Sequence, residues 1–557
     1  MFCKILESCT QKIKGLPQWA GWLFCALAAL AGAISLLYLW RVLYDLDLRP
    51  EIDQKILLLG LAGVALAGVG AAFGVSRVKN VAAKGALVIF LCGMLFAFVN
   101  PPMQAPDEYT HYLRAYSIGQ GHFDFDGSRE YPEDVARLYE TFPGAWVNAH
   151  TSIGSVEDEE TGEETYYSSA GYALKRYEEG GKVYSVLDSF QEYLDGGEAE
   201  PVTEPILVMI LPLVPQAVGM TLARLLGLGA LGCLYGGRLV NLLAYTGLCW
   251  LALKNTRRTR PLFLAFMLCP LSLYLGGSLS YDATLLGCYY LMLSFLDKEE
   301  FTRWDAGWFL FALGWANMAK PAINLLWLFV PLVIAGRKWK LKTKFWLFTG
   351  AGLAVALGIT FFTTWYGNFF RHDYDLSALG RMIEGADQVP QLLFVLRYLP
   401  RYLAVMVQTL YENQFFLGQL GLFGALDLDI PLLDLTAPLV LLVAAFLSVP
   451  KKENRLEPQR AFGLGGFGLI YLAGAMTAMY ITYTPVGMVR IIGLQARYFL
   501  PVFLAFYWLA AQALSRYLAP VSRKKETLGL PLFGIYGAVG ALLLFQHYYI
   551  GPIYNIG

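Results

Sequence analysis

The sequence predicts an all-α integral membrane protein with about thirteen transmembrane helices, each an apolar stretch near the ~20 residues that span a bilayer. Three observations predict it. Of the 557 residues, 56% are hydrophobic and 15% charged, against roughly 25% charged in soluble domains. The apolar stretches recur along the whole chain instead of gathering in one region. Lys and Arg concentrate in short loops that fall on one side of the membrane when crossings are counted.

In chain order the expected spans are 18–40, 55–75, 84–100, 230–253, 261–277, 280–296, 304–319, 321–336, 345–366, 432–449, 462–483, 500–518 and 528–546. The first follows Lys4, Lys12 and Lys14. It is longer than a signal-peptide core and lacks a small-residue cleavage site, so it reads as a retained helix. The basic loops are 77–84, 254–260, 337–344, 451–460 and 516–525. Alternate crossings from a cytoplasmic N-terminus put all of them in the cytoplasm and the C-terminus outside, as in a multi-pass protein of a bacterial inner membrane. Two more apolar stretches, 206–226 and 392–410, would break that alternation if they crossed. Both carry internal Pro and Arg (Pro212, Pro215 and Arg224; Arg397, Pro400 and Arg401), which suits helices lying in, or re-entering, the outer interface.

The organisation that follows has two extra N-terminal helices over 1–83 and a helix over 84–100 leading to an acidic motif. A large extracytoplasmic loop domain with an interfacial helix covers 101–229, and a transmembrane bundle covers 230–366. A second extracytoplasmic loop with an interfacial helix covers 367–431, and C-terminal helices cover 432–557. The first large loop holds about half of the acidic residues and few Lys or Arg. Turn signals at 160–163 and 179–182, each before a β-prone run, predict two small hairpins there. None of the eight cysteines falls in the polar loop 101–205, so they are expected to pack in apolar helices and not to form a disulfide framework. Net charge is zero and there is no basic tract, so nucleic acid is not an expected partner.

Three polar clusters lie on the expected outer side. The first is Ala105-Pro106-Asp107-Glu108-Tyr109-Thr110-His111-Tyr112-Leu113-Arg114, after the helix end Asn100-Pro101-Pro102. Pro106 suits the first position of a helix that Gly119 and Gly121 end. Asp107, His111 and Arg114 then share one face, and Glu108 diverges from it. Acidic residues also favour the positive end of a helix dipole for purely structural reasons. The second cluster is Ser278-Leu279-Ser280-Tyr281-Asp282, where Asp282 could equally be a helix-start residue. The third runs from Thr482 through Arg490 to Gln495, Arg497 and Tyr498. Its two Arg have no carboxylate nearby in sequence, which suggests an anionic partner such as a lipid phosphate, although snorkelling to headgroups would also place them there. Lys320, Arg238 and Asn241 fall near the same surface. A carboxylate base, a His and fixed cations are what deprotonation of a hydroxyl and departure of a phosphate require. No P-loop, zincin or nucleophile-elbow pattern is present.

The strings APDEYTHYLRA, LPLVPQAVGMTLARLLGLG, GGRLVNLL, SLSYD and YTPVG with GLQARYFLP resemble an uncharacterised bacterial family of polytopic membrane proteins, over roughly residues 95–505. That family looks like a branch of the GT-C glycosyltransferases. The resemblance implies a GT-C-like bundle, a polyprenyl-phosphate sugar donor and Asp107 in the base position with Glu108 beside it. The two spans before the acidic motif depart from the usual GT-C plan.

The expected function is therefore inverting transfer of a sugar to an extracytoplasmic cell-envelope glycan or lipid acceptor. Asp107, Glu108 and His111 are the catalytic candidates, and Arg497, Arg490, Lys320 and Arg238 the donor-phosphate candidates. Arg114, Asp282, Gln495 and Tyr498 are in support. A divalent ion, Mg or Mn, would find its ligands in Asp107 with His111 or Asp282. The alternative is a transporter or flippase for a polar lipid or sugar, whose sign would be ionisable residues near the middle of several helices.

Overall fold

The structure is a computed structural model that describes residues 54–123, 129–142, 153–157, 164–168, 176–177, 186–203, 211–298, 300–320, 323–330, 342–369, 385–424, 426–518 and 529–550. The expected span 18–40 and the turns 160–163 and 179–182 lie outside these residues.

The chain is mostly helical. Helices α1 (Gln54–Arg77) and α2 (Val81–Val99) are followed by α3 (Glu108–Gly119) and α4 (Glu133–Thr141). Strands β1 (Ile153–Glu157), β2 (Glu164–Ser168) and β3 (Arg176–Tyr177) form an antiparallel sheet in chain order. Glu157 pairs with Glu164 at the closed end of the first hairpin, where a hairpin was expected. Val186, expected in a strand, instead opens α5 (Val186–Asp195). Then come α6 (Val214–Leu225), α7 (Ala230–Asn255), α8 (Arg260–Met267), α9 (Pro270–Gly276), α10 (Asp282–Ser294), α11 (Arg303–Ala319) and α12 (Lys342–Phe369). The last third holds α13 (Gln388–Arg397), α14 (Leu399–Glu412), the short pair β4 (Leu422–Phe423) and β5 (Leu428–Asp429), α15 (Pro431–Leu447), α16 (Pro458–Tyr483), α17 (Leu500–Leu514) and α18 (Gly529–Phe545).

Among the described residues, α-helices stand at most of the apolar stretches; of the expected span 321–336 the described part holds a 3-10 helix over Ile323–Leu328, and the rest lies largely outside the described residues. By length and composition, three described segments are able to cross a membrane: Val81–Val99, Pro458–Tyr483 and Gly529–Tyr549. Others fall short for visible reasons. Pro270 has no N–H to give and divides the expected span 261–277 into α8 and α9. The 13 residues of α10 rise only about 20 Å. Helix α7 has the length but carries Arg238, Asn241 and Lys254.

Helix α10 is buried on every side, as a helix without a polar face must be. Close backbone approaches hold its neighbours. A Cβ on Gly277 would stand 2.7 Å from Ala97 N and 2.9 Å from Gly93 O, so the end of α9 rests on a small-residue groove of α2. A Cβ on Gly219 would stand 2.1 Å from Gly236 O, which locks α6 against the first turns of α7. The cysteines at 92, 233, 249, 269 and 288 are free and buried.

Among the described residues, the basic loops around 77–84, 254–260 and 451–460 and the start of 516–525 meet at one end. Gly85 faces Leu253 and Leu264, Arg258 Nη1 donates to Asn454 O at 3.4 Å, and Arg455 donates to the carbonyl of Ser515. Asp297 Oδ2 accepts the amides of Arg257, Arg258 and Thr259 at 2.7, 3.0 and 3.4 Å. The polar clusters sit at the other end. There, α6 is too short to span at about 1.5 Å per residue and exposes Leu222 and Leu225, with Leu226 and Leu228 exposed just after it. Helices α13 and α14, bent apart at Tyr398-Leu399-Pro400, expose Leu392, Leu396, Leu403 and Val407.

Candidate functional site

The segment from Asn100 to Glu108 sets the site. Met103 and Asp107 both take positive φ, 65° and 60°, a conformation uncommon outside glycine that concentrates where structure over-determines it. What over-determines it here is Glu108. Its carboxylate is fully buried and gripped side-on by Arg238, with Nε to Oε1 at 2.9 Å and Nη2 to Oε2 at 2.7 Å. Arg238 also donates through Nη1 to Ala97 O at 2.9 Å and Asn100 O at 2.6 Å, and through Nη2 to Pro101 O at 2.9 Å. All five N–H donors of a guanidinium are thereby used. Glu108 Oε1 further accepts Leu279 N at 2.9 Å.

This pair accordingly ties α2, α3, α7 and the loop before α10 together. Asn241, one turn from Arg238, donates to Ser278 O at 2.8 Å and Ser280 O at 2.9 Å, and Gln216 donates to Leu279 O at 3.1 Å. The loop that delivers Asp282 is held from several sides. The sequence grouped Glu108 with the catalytic residues and Arg238 with the phosphate ligands. Their burial and saturated hydrogen bonding assign both to the framework instead.

Helix α3 begins at Glu108, two residues later than Pro106 suggested, and Asp107 caps it without a side-chain hydrogen bond. Asp107 turns outward, with its side chain 56% exposed. A chain of charge runs inward from it. Arg497 Nη2 lies 3.4 Å from Asp107 Oδ2, Arg497 Nε lies 3.1 Å from Asp282 Oδ2, and Lys320 Nζ lies 3.2 Å from Asp282 Oδ1. Tyr498 stands under both cations: its ring centroid is 3.9 Å from Lys320 Nζ and 5.3 Å from Arg497 Cζ, within cation–π range. Its hydroxyl accepts Arg497 Nη2 at 3.3 Å. Nη1 of Arg497 is buried with no partner.

His111 lies behind this chain, buried, with its ring 4.8 Å from that of Tyr281. Burial pushes its pKa down to about 4, against a smaller upward pull from Asp107, so it is neutral at pH 7. Burial also lowers the pKa of Arg114 to about 10, still charged at neutral pH. With Glu108 and Arg238 cancelling, Lys320, Arg497 and Arg114 face Asp107 and Asp282: three cations to two carboxylates. Around the charge chain itself this leaves one positive charge in excess, which suits an anion, and Asp427 adds a carboxylate near Tyr274 on the pocket's other side. Arg490 is exposed on the preceding loop, outside this chain of contacts.

A small, partly open pocket adjoins the charge chain. Pro106 and Arg497 form one side, Leu271 and Tyr274 another, and Gln419, Leu422 and Gln495 close it. Sequence reading missed Gln419. Its one signal is the glycine-punctuated run Gln414-Phe415-Phe416-Leu417-Gly418-Gln419-Leu420-Gly421, in which Gln414, Phe415 and Phe416 take φ of 50°, 55° and 59°. As for a metal, among the described residues no three His, Cys, Asp or Glu side chains form a group able to hold one. Both oxygens of Asp282 already face cations, which would repel a divalent ion. The donor set does not fit a metal.

Apolar helices, some long enough to cross a bilayer, with a charged site and pocket at one end, define a helical membrane protein. The chain belongs to the family described as "Predicted membrane protein (DUF2142)", which it matches over residues 90–506. No curated protein and no solved structure matches it.

Proposed function

We propose that this chain is a multi-pass inner-membrane glycosyltransferase of GT-C type that inverts configuration and takes a sugar from a polyprenyl-phosphate donor. The acceptor is an extracytoplasmic cell-envelope glycan or lipid. The observation that carries the reading is the pairing of exposed Asp107 with buried Arg497, which lines the neighbouring pocket. Gathering of the basic loops at the opposite end supports a cytoplasmic placement for them and an outer placement for the site.

In this reading Asp107 takes the proton of an acceptor hydroxyl as its oxygen attacks the anomeric carbon. The bond from that carbon to the phosphate oxygen breaks on the far side, and the electron pair leaves with the phosphate. Arg497 and Lys320 lie where charge on that leaving group would be met, in surroundings that screen them less than water does. Neutral His111 keeps the interior behind Asp107 free of a further positive charge.

Purified protein incubated with radiolabelled polyprenyl-phosphate sugars and a membrane extract tests the reading: label should leave the lipid with wild type and not with Asp107→Asn. Movement of intact labelled lipid across vesicles without transfer would establish the transporter alternative instead.

A further inference from the structure

The pocket beside Arg497 contains polar atoms whose needs identify a ligand. Gln419 Nε2 donates to Asn413 Oδ1 at 2.8 Å, and Asn413 Nδ2 donates to Thr409 O at 2.8 Å. A backbone carbonyl only accepts, so Thr409 fixes the orientation of the Asn413 amide, and that in turn fixes Gln419. The carbonyl oxygen of Gln419 is left buried with no donor. Gln495 Oε1 is in the same condition, as is Arg497 Nη1, and all three residues line the pocket. Leaving such groups unpaired costs about 1–3 kcal/mol each.

We infer that this pocket binds one edge of a neutral polyhydroxylated ring, a single sugar unit, with Gln419 and Gln495 accepting hydrogen bonds from its hydroxyls and Arg497 donating to a ring or hydroxyl oxygen. The set of partners selects this chemistry. A phosphodiester or an ionised carboxylate brings no hydrogen for two carbonyl oxygens. An ammonium group would satisfy them but is repelled by Arg497. A hydroxylated ring supplies donors and acceptors together, and Leu271 and the face of Tyr274 offer an apolar wall for its C–H surface. The pocket is small and partly open, so one edge of the ring enters it and the rest lies outside. The inference names the sugar-recognising part of the transferase reading and rests on it, and it assigns Gln419 and Gln495 to specificity, apart from the charged residues that meet the phosphate.

Saturation-transfer difference NMR on the full-length protein in detergent, with free glucose, galactose, mannose, N-acetylglucosamine and ribose as probes and inorganic phosphate present or absent, tests it without turnover. At least one sugar should show transfer to its ring protons. Its affinity should fall about fivefold in Gln419→Leu and again in Gln495→Leu, as loss of one neutral hydrogen bond requires, with melting temperatures near wild type. If Gln419→Leu fails to fold, Gln495→Leu, on a different turn, carries the test. Absence of transfer to every sugar, or transfer unchanged in the folded variants, overturns the assignment. Sugar binding in a protein that transfers from no donor upholds the pocket and retires the transferase. Glycosyl transfer unimpaired in both leucine variants retires the pocket and leaves the transferase standing.

Discussion

Arg497 stands 3.4 Å from Asp107 across 390 residues of sequence and, by its other edge, 3.1 Å from Asp282. One guanidinium therefore joins the start of α3, the start of α10 and the turn before α17. Its planar fork can reach two carboxylates in different directions, which a lysine ammonium on a single stem cannot do equally well. The relationship also divides the two carboxylates by exposure. Asp282 is enclosed between cations, while Asp107 keeps most of its surface open.

Asp107→Asn should separate activity from stability. The side chain is exposed and makes no capping hydrogen bond, so unfolding should change by no more than about 0.5 kcal/mol, as for surface substitutions generally. Transfer should fall at least about a hundredfold, the usual loss of a general base. Arg497→Lys should raise the donor KM and lower kcat together, because one ammonium keeps the charge and loses the bridging geometry. Full activity in a well-folded Asp107→Asn protein would remove Asp107 from the chemistry.

Glu108→Gln should behave in the opposite way to its neighbour. It leaves Arg238 charged, buried and without its counter-ion, a change that costs about 3–5 kcal/mol. Arg238→Met should cost a similar amount. The double substitution Glu108→Leu with Arg238→Met should recover part of the loss, because no lone charge remains inside. Thermal unfolding of the purified variants measures all three. Near-additive losses in the double variant would mean that the two side chains act separately.

Much of this arrangement was legible in the sequence, and the limits have physical causes. Helix positions could be read because apolar stretches bounded by Pro, Gly and basic residues leave few alternatives in lipid. Crossing capacity was harder to read. A proline such as Pro270 halves a helix without changing its composition, and a run like 280–296 looks the same whether it spans lipid or lies inside protein. At the site, Asp107, His111, Asp282 and Arg497 could be grouped by their common side. The partner of Arg238 could not, since sequence shows that a buried Arg needs a carboxylate but does not say which of two adjacent ones turns inward. Gln419 was invisible because the role inferred for it depends on an amide orientation set two hydrogen bonds away, at Thr409.

Orientation can be tested with single cysteines in a cysteine-free background. Arg257 and Arg490 are both exposed, at opposite ends of the helix array. An impermeant maleimide applied to intact cells should label position 490 and leave 257 unlabelled until the membrane is opened. The reverse pattern would place the site in the cytoplasm and exclude a donor presented on the outer face.

His111 should write a pH dependence into stability. Its pKa in the folded chain is about 4 because burial disfavours the charged ring, against 6.5 when exposed. A base with a depressed folded pKa binds fewer protons in the folded state. Its contribution is thus complete above about pH 6.5, the unfolded value, and is lost as pH falls from there towards 4, where the folded ring also protonates. At 1.36 kcal/mol per pKa unit the loss across that window is on the order of 3 kcal/mol. The melting temperature of wild type should drop between pH 6.5 and 4 more steeply than that of His111→Phe, which keeps a ring against Tyr281 and cannot titrate. Carboxylates that lose their partners on protonation contribute to both proteins alike, so the difference between the two curves isolates the imidazole. Parallel curves would show that burial does not depress the pKa of His111 in the folded protein, and the neutral ring assigned to the site would fall.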